Sequence, residues 1–465
     1  MTAPFSFEPY RSRVVEPIRL STREKRRQWI AQAGYNPFLL KAEQVMIDLV
    51  TDSGTSALSL AQWAAMHGSD ESFTGSASFE RFAAAARALF GHPHVIPCHQ
   101  GRAGEHLLAR AVLRPRDVVL ANTLFATTRV NFEEAGARCE DLPIPEALNP
   151  ESRHPFKGNI DLERLAARLE AAGTSVRLVV LTVTDNARGG QPVALANLRA
   201  ASELCRRHGV PLWLDAARVA ENCFLIKERE EGCAGRSPAE LAREVFSLVD
   251  GLFMSMKKDG LGNVGGLITC ADPTWAEAIR ARLLISEGIP SAGGLAGRDL
   301  ECMRVALEEM LDEAHLAWRV AATARVAQRL LAGGVPVLEP VGAHAVYVDG
   351  RAFCPHLPDE QFPAWSVSAA YYLASGVRTW ESGNVTYGRL DPASGRWRWP
   401  AFDLLRLAVP RRVYSDAHLA YAAEALVELF AHRQEIRGLR CTYRPPALPQ
   451  FVARFTPVGA DDVLP

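Results

Sequence analysis

The 465-residue sequence has no CxxC pair, and its nine cysteines are scattered singly. An odd number without paired spacing argues against a disulfide framework or a structural zinc site, and it favours a reducing, cytoplasmic setting. No segment offers about eighteen uninterrupted apolar residues, so a membrane span is not expected. The opening "MTAPFSFEPYRSRVVEPIRL" lacks the charged-then-apolar pattern of a secretory leader. Nor is there a basic surplus: the formal net charge is −1, which gives nothing to hold a phosphate backbone and excludes nucleic acid as an expected partner. No GxGxxG follows the first plausible strand, which argues against nicotinamide chemistry.

What is present is a chain that is 48% apolar and long enough for a large α/β domain with a smaller companion. Short β-branched runs alternate with amphipathic stretches: "VRLVVLTVTDN" at 176–186, a helical "LANLRAASELCRRHG", then "VPLWLDAAR", a charged helical segment and "LVDGLFMSMKKD". This rhythm predicts βαβ units and a mostly parallel sheet. In such sheets functional groups collect beyond the carboxyl ends of the strands, where Asn186, Asp215 and the Lys257-Lys258 pair fall. The texture then shifts to long helices, which suggests an N-terminal arm and part of a small domain over 1–57, a large domain over 58–310 and a small C-terminal domain over 311–465. The segment 388–400 reads as an exposed loop, the last ten residues as a loose end or the stub of a linker, and "KEREEG" (227–232) as a solvated helix face.

In "FMSMKKDGLGNVGG" (253–266) two lysines end an apolar run. Apolar neighbours and a second cation both disfavour an ammonium, so the free amine needed for Schiff-base chemistry comes within reach; solvation at a strand end is the simpler alternative. Gln100, Gly101 and Arg102 form a turn ahead of a helix, a place for a phosphate or merely a common glycine turn. Asp215 ends an apolar strand, where it can hold a ring nitrogen protonated or cap a helix. An anion cradle, a pyridinium partner and a Schiff-base lysine are together what pyridoxal phosphate (PLP) requires. Cys98 beside the turn reads as packing, and His344 as a structural hydrogen-bonding group.

The blocks "HQGR", "TDNARGGQPV", "DAARVAEN", "KKDGLGNVGG", "PSAGGLAGRD" and "RLAVPRRVY" are long and collinear. With them the sequence resembles the tyrosine phenol-lyase and tryptophanase family of β-eliminating lyases over nearly its whole length. The resemblance implies a fold-type-I PLP enzyme of the aspartate aminotransferase-like α/β class. It implies Lys258 as the cofactor-binding lysine that also moves the Cα proton, with Lys257 beside it tuning charge. By the same resemblance Gln100, Gly101, Arg102 and Ser255 hold the phosphate, Phe125 stacks on the ring, Asp215 pairs with the ring nitrogen, and Asn186 and Arg218 meet the ring oxygen. Arg406 clamps the substrate carboxylate, and Thr51 and Ser53 belong to the same pocket. The family also implies a potassium ion, at Gly54, Glu71 and Asn263, and a homo-oligomer, dimer or tetramer.

Departures fall on the leaving-group side. Phe73 stands where the carbon-carbon lyases of the family carry an acid tyrosine, and Ser382 where the phenol-lyase has an arginine. Trp380 alters the pocket's shape, while Ala126, Ala292 and Gln450 replace a threonine, a tyrosine and an aromatic residue. An aryl carbanion needs a proton before it can leave, whereas a thiolate departs unaided. The expectation is therefore carbon-sulfur cleavage of a cysteine-type substrate, free or carrier-tethered, to a thiol or persulfide, pyruvate and ammonia. This is similar to the thiocysteine-lyase domains of polyketide assembly lines. The alternatives are a carbon-carbon lyase acting on tyrosine or tryptophan, and a carrier-docked interaction domain with residual PLP binding; the charged substrate clamp argues against the latter.

Overall fold

The alternating runs become a seven-stranded sheet. The computed structural model describes residues 7–172, 176–391, 394–459 and 461–465. In chain order the strands are β1 (His94–Cys98), β2 (Val118–Ala121), β3 (Arg138–Asp141), β4 (Val176–Thr182), β5 (Leu212–Asp215), β6 (Gly251–Ser255) and β7 (Gly266–Cys270). Their spatial order is β1-β7-β6-β5-β4-β2-β3. Strands β2 to β6 pair in parallel, and β7 is antiparallel to both neighbours, so β1 points the same way as β6. In β4 only Arg177 is exposed, as expected where helices cover both faces of a parallel sheet.

The chain divides into two compact units: a large one, Ser53–Ala317, and a small one built from Met1–Asp52 with Trp318–Pro465. The large unit holds the seven-stranded sheet. The break falls inside the helix Glu313–Ala332, and the sequence reading had placed it at 310, where helical texture begins. Texture marks where a helix starts; the unit boundary depends on which residues that helix packs against.

In the small unit β8 (Ala345–Asp349), β9 (Trp380–Ser382) and β10 (Leu404–Ala408) form an antiparallel sheet in the order β9-β10-β8. The helix Pro363–Ser375 exposes only Ala374, and it is apolar nearly all round because core surrounds it.

Three sequence expectations change here. The 388–400 segment contains a short hairpin, Arg389–Leu390 with Trp397–Arg398, although Pro392 and Ala393 lie outside the described residues. The tail is no loose end. Val463 and Leu464 are buried, and the Val463 carbonyl accepts the Arg437 N–H at 2.9 Å. In "KEREEG" Glu230 accepts the N–H groups of Leu195 and Ala196 at 2.6 and 2.8 Å, capping the helix Leu195–Arg207. Among the described residues no helix is long and apolar enough to cross a membrane.

Candidate active site

Beyond the carboxyl ends of β1, β2, β4, β5 and β6 lies a solvent-open cleft, where the functional groups of a parallel sheet collect. Its walls bring together Ser53, Gln100, Gly101, Arg102, Phe125, Asn186, Asp215, Arg218, Ser255, Lys257 and Lys258, all expected from the sequence. Four cationic side chains face two carboxylates, Glu105 and Asp215, so the cleft is biased towards an anionic guest.

Helix α1 (Gly101–Val112) starts at the cleft with Gln100 as its N-cap. A Cβ on Gly101 would lie 2.6 Å from the Ser255 Cβ, and one on Gly266 would lie 2.6 Å from the Gln100 carbonyl carbon. These glycines let the helix N-terminus, its N–H groups and the Ser255 side chain close on one point, with Arg102 on the first turn. This arrangement suits a phosphate.

Asp215 ends β5, 6% exposed; its Oδ1 accepts the Ala217 N–H at 3.2 Å. It is thus both a turn cap and a carboxylate aimed at the cleft. Burial raises its pKa, opposed by Lys258, the Ala217 N–H and Arg218. Lys257 has its pKa lowered, first by burial and then by Arg102. The sequence reading expects such a depression from apolar neighbours and a second cation. The structure supplies the burial and, as the second cation, Arg102. The Lys257 carbonyl accepts the Gly54 N–H at 2.7 Å, and a Cβ on Gly54, at φ +76°, would meet the Lys257 Cε at 2.8 Å. Gly54 therefore anchors the lysine pair from behind.

Two buried hydroxyls on the cleft wall, Thr182 and Thr184 Oγ1, have no hydrogen-bond partner among the described residues. Such groups are rare unless a ligand or water completes them. The anion cradle, the lysines, the strand-end carboxylate and these hydroxyls fit PLP. Neither threonine stood out in the sequence, nor did Thr127 or Glu105, which also line the cleft; the TVT run reads simply as strand.

The other expected residues lie elsewhere. Phe73 is 79% exposed and is not part of the cleft wall. Ala126 opens helix α2 (Ala126–Glu134), between the wall residues Phe125 and Thr127. Ala292 lies in a turn bonded to the Ile289 carbonyl, and Gln450 is buried in the small unit. Of the potassium set, the Asn263 Nδ2 donates to the Gly54 and Ser56 carbonyls at 3.1 and 2.9 Å. Glu71 instead accepts the Gly297 N–H at 3.1 Å, with Arg298 3.8 Å away. Cys98 is fully buried, and burial pushes its thiol pKa up, which disqualifies it as a nucleophile. His344 is buried against the Tyr347 hydroxyl at 3.1 Å, consistent with its structural reading.

In the small unit Arg406 on β10 donates to the Asp52 Oδ1 at 3.0 Å and lies over the Trp380 ring at 4.9 Å. Arg411 also reaches Asp52, at 3.1 Å, and Arg319 approaches it at 3.8 Å. Three guanidinium groups thus converge on one wholly buried carboxylate, beside Thr51 in the chain. Ser382 on β9 is buried, and its hydroxyl has no hydrogen-bond partner among the described residues.

The family model described as "Beta-eliminating lyase" matches residues 48–425. A tyrosine phenol-lyase of Intrasporangium calvum is 46% identical over 462 residues, covering 99% of this chain and 97% of the relative. A tryptophanase of Salinibacter ruber is 47% identical over 457 residues, covering 98% and 96%. Among solved structures, the serine palmitoyltransferase of Sphingomonas wittichii superposes with a TM-score of 0.60 at 16% identity, over 88% of this chain and 96% of that one. That likeness shows the fold, a fold-type-I α/β architecture as the sequence predicted. With the cleft and these matches together, the chain belongs to the β-eliminating lyase family of PLP-dependent enzymes.

Proposed function

We propose that this protein catalyses β-elimination from an L-amino acid, releasing pyruvate and ammonia, and that the leaving group is an aromatic carbon, as in tyrosine or tryptophan. The convergence of Lys258, Asp215 and the Gly101–Ser255 cradle on one cleft carries the cofactor part of this reading. Full-length similarity to enzymes named for tyrosine and tryptophan supports the substrate part, ahead of the sulfur preference drawn from the sequence.

PLP, when bound, supplies an electron-withdrawing ring that stabilises negative charge at the substrate's α carbon. The protein's own groups do the rest. Gly101, Arg102, Gln100 and Ser255 bind its phosphate, Phe125 covers the ring face, Asn186 and Arg218 meet the ring oxygen, and Asp215 faces the ring nitrogen. Lys258 anchors the cofactor and moves the α proton. Arg406, oriented by Asp52 and Trp380, holds the substrate carboxylate, a planar two-donor task suited to guanidinium. A potassium ion at Gly54, Glu71 and Asn263, a homo-oligomeric assembly and a cytoplasmic location belong to the same reading.

One observation favours a second reading. Phe73 and Ser382 offer no acid and no cation to an aromatic leaving group, and a sulfur leaving group needs neither. Pyruvate release by the PLP-loaded protein from tyrosine, tryptophan and S-substituted cysteines separates the two. Turnover of an aromatic substrate ahead of every sulfur substrate is expected; the reverse order would replace the main reading with the second.

A further inference from the structure

Glu105 is a cleft residue to which nothing above gives a role. It lies one helical turn beyond Gly101 on α1, and it is only 6% exposed. Its Oε2 accepts the Asn131 Nδ2–H at 3.2 Å, and Thr127 hydrogen-bonds to the same carboxyl group. Both partners are on α2, directly after the ring-stacking Phe125, so Glu105 joins the phosphate helix to the helix that presents the ring cover. The charged groups acting on it are Asp215 from β5, which opposes its ionisation, and Lys258 beyond β6, which favours it. From β1 it faces the Cys98 thiol, which burial keeps neutral. The α2 groups that hydrogen-bond to it, Thr127 and Asn131, are uncharged.

Two buried carboxyl groups in one cleft cannot ionise with equal ease. Asp215 has Lys258, Arg218 and a backbone N–H to hold its negative charge. Glu105 has mainly amide and hydroxyl donors, and burial together with Asp215 pushes its carboxyl up to about 7. A cation seated beside Asp215 cancels the repulsion that Glu105 feels from it, while Arg102 and the α1 N–H groups offset the phosphate charge one helical turn away.

We propose that Glu105 is a positioning residue that holds a proton in the cofactor-free protein and releases it when the cationic ring nitrogen of the cofactor takes its place beside Asp215. The inference rests on the PLP reading above. It makes cofactor binding a proton-linked event, tighter as pH rises through neutrality.

The test is calorimetric titration of the cofactor-free protein with PLP at pH 6.5 and 8.5, in two buffers of different ionisation enthalpy, for the wild type and Glu105→Gln. The wild type is expected to release roughly half a proton more than the variant at pH 6.5, and no more than the variant at pH 8.5, where Glu105 is already ionised. Thr127→Val, which removes one donor from the carboxylate, should move the extra release to higher pH, and it serves if the glutamine variant fails to fold. Equal proton counts in wild type and variants at both pH values, with the cofactor bound in each, would overturn the inference. Absence of binding and of yellow colour in every protein would instead overturn the PLP reading.

Discussion

A single methyl group at position 101 would press on Ser255, because the helix N-terminus and the end of β6 approach to 2.6 Å at the would-be Cβ. Overpacking at such a point costs about 1–3 kcal/mol. Gly101→Ala should therefore weaken PLP binding by about tenfold or more, measured by fluorescence quenching, with the fold retained; unchanged affinity would remove the cradle from the account. Arg406→Lys keeps a positive charge but loses the planar fork over Trp380 and the geometry towards Asp52. The expected result is a KM raised about tenfold, with a smaller change in kcat. At this scale the sequence was most legible where chemistry is written in a run. The lysine pair, the HQGR turn and the strand-end aspartate announce themselves. Glu105 and the Thr182 and Thr184 hydroxyls do not, because an acid on a helix and threonines in a strand are ordinary until a cleft closes around them.

Between elements, a buried acid pair ties β9 to β10 of the small unit. Glu381 accepts the Val385 and Thr386 N–H groups at 2.7 and 3.3 Å, and Asp403 accepts those of Asn384 and Ala364 at 2.9 and 2.8 Å. Both carboxyls are fully buried, and burial, followed by repulsion from Asp403, raises the Glu381 pKa well above the usual carboxylate range. A raised folded-state pKa means that the stabilising contribution is complete below the unfolded value of about 4.3 and is lost as pH rises towards the folded one. Glu381→Gln, a mimic of the protonated acid, should therefore gain thermal stability relative to wild type at pH 8 compared with pH 5. A difference independent of pH, by differential scanning calorimetry, would refute the protonated state of Glu381. The strands themselves were legible from β-branched runs such as 176–182; the acid pair was not, since "TWESG" and "FDLL" lie in separate segments and meet only through strand pairing.

For the whole molecule, the small unit draws on both ends of the chain, so the Asp52 carboxylate and the arginines at 319, 406 and 411 converge from segments more than two hundred residues apart. Motif spacing cannot display such a cluster. The buried tail was misread for the same reason: Val463 and Leu464 find their cover in distant parts of the unit. The substrate question also belongs here. If an aromatic carbon leaves, phenol or indole should accumulate in step with pyruvate when tyrosine or tryptophan is supplied; pyruvate from sulfur substrates alone would favour the second reading.

The central claim is that Lys258, not its neighbour, bonds to the cofactor aldehyde. Borohydride reduction of the PLP-loaded protein followed by peptide mass spectrometry tests it directly. The account predicts one pyridoxyl mark, on Lys258, that vanishes in Lys258→Ala. A mark on Lys257 or on any other lysine in the wild type, or none at all, would contradict it.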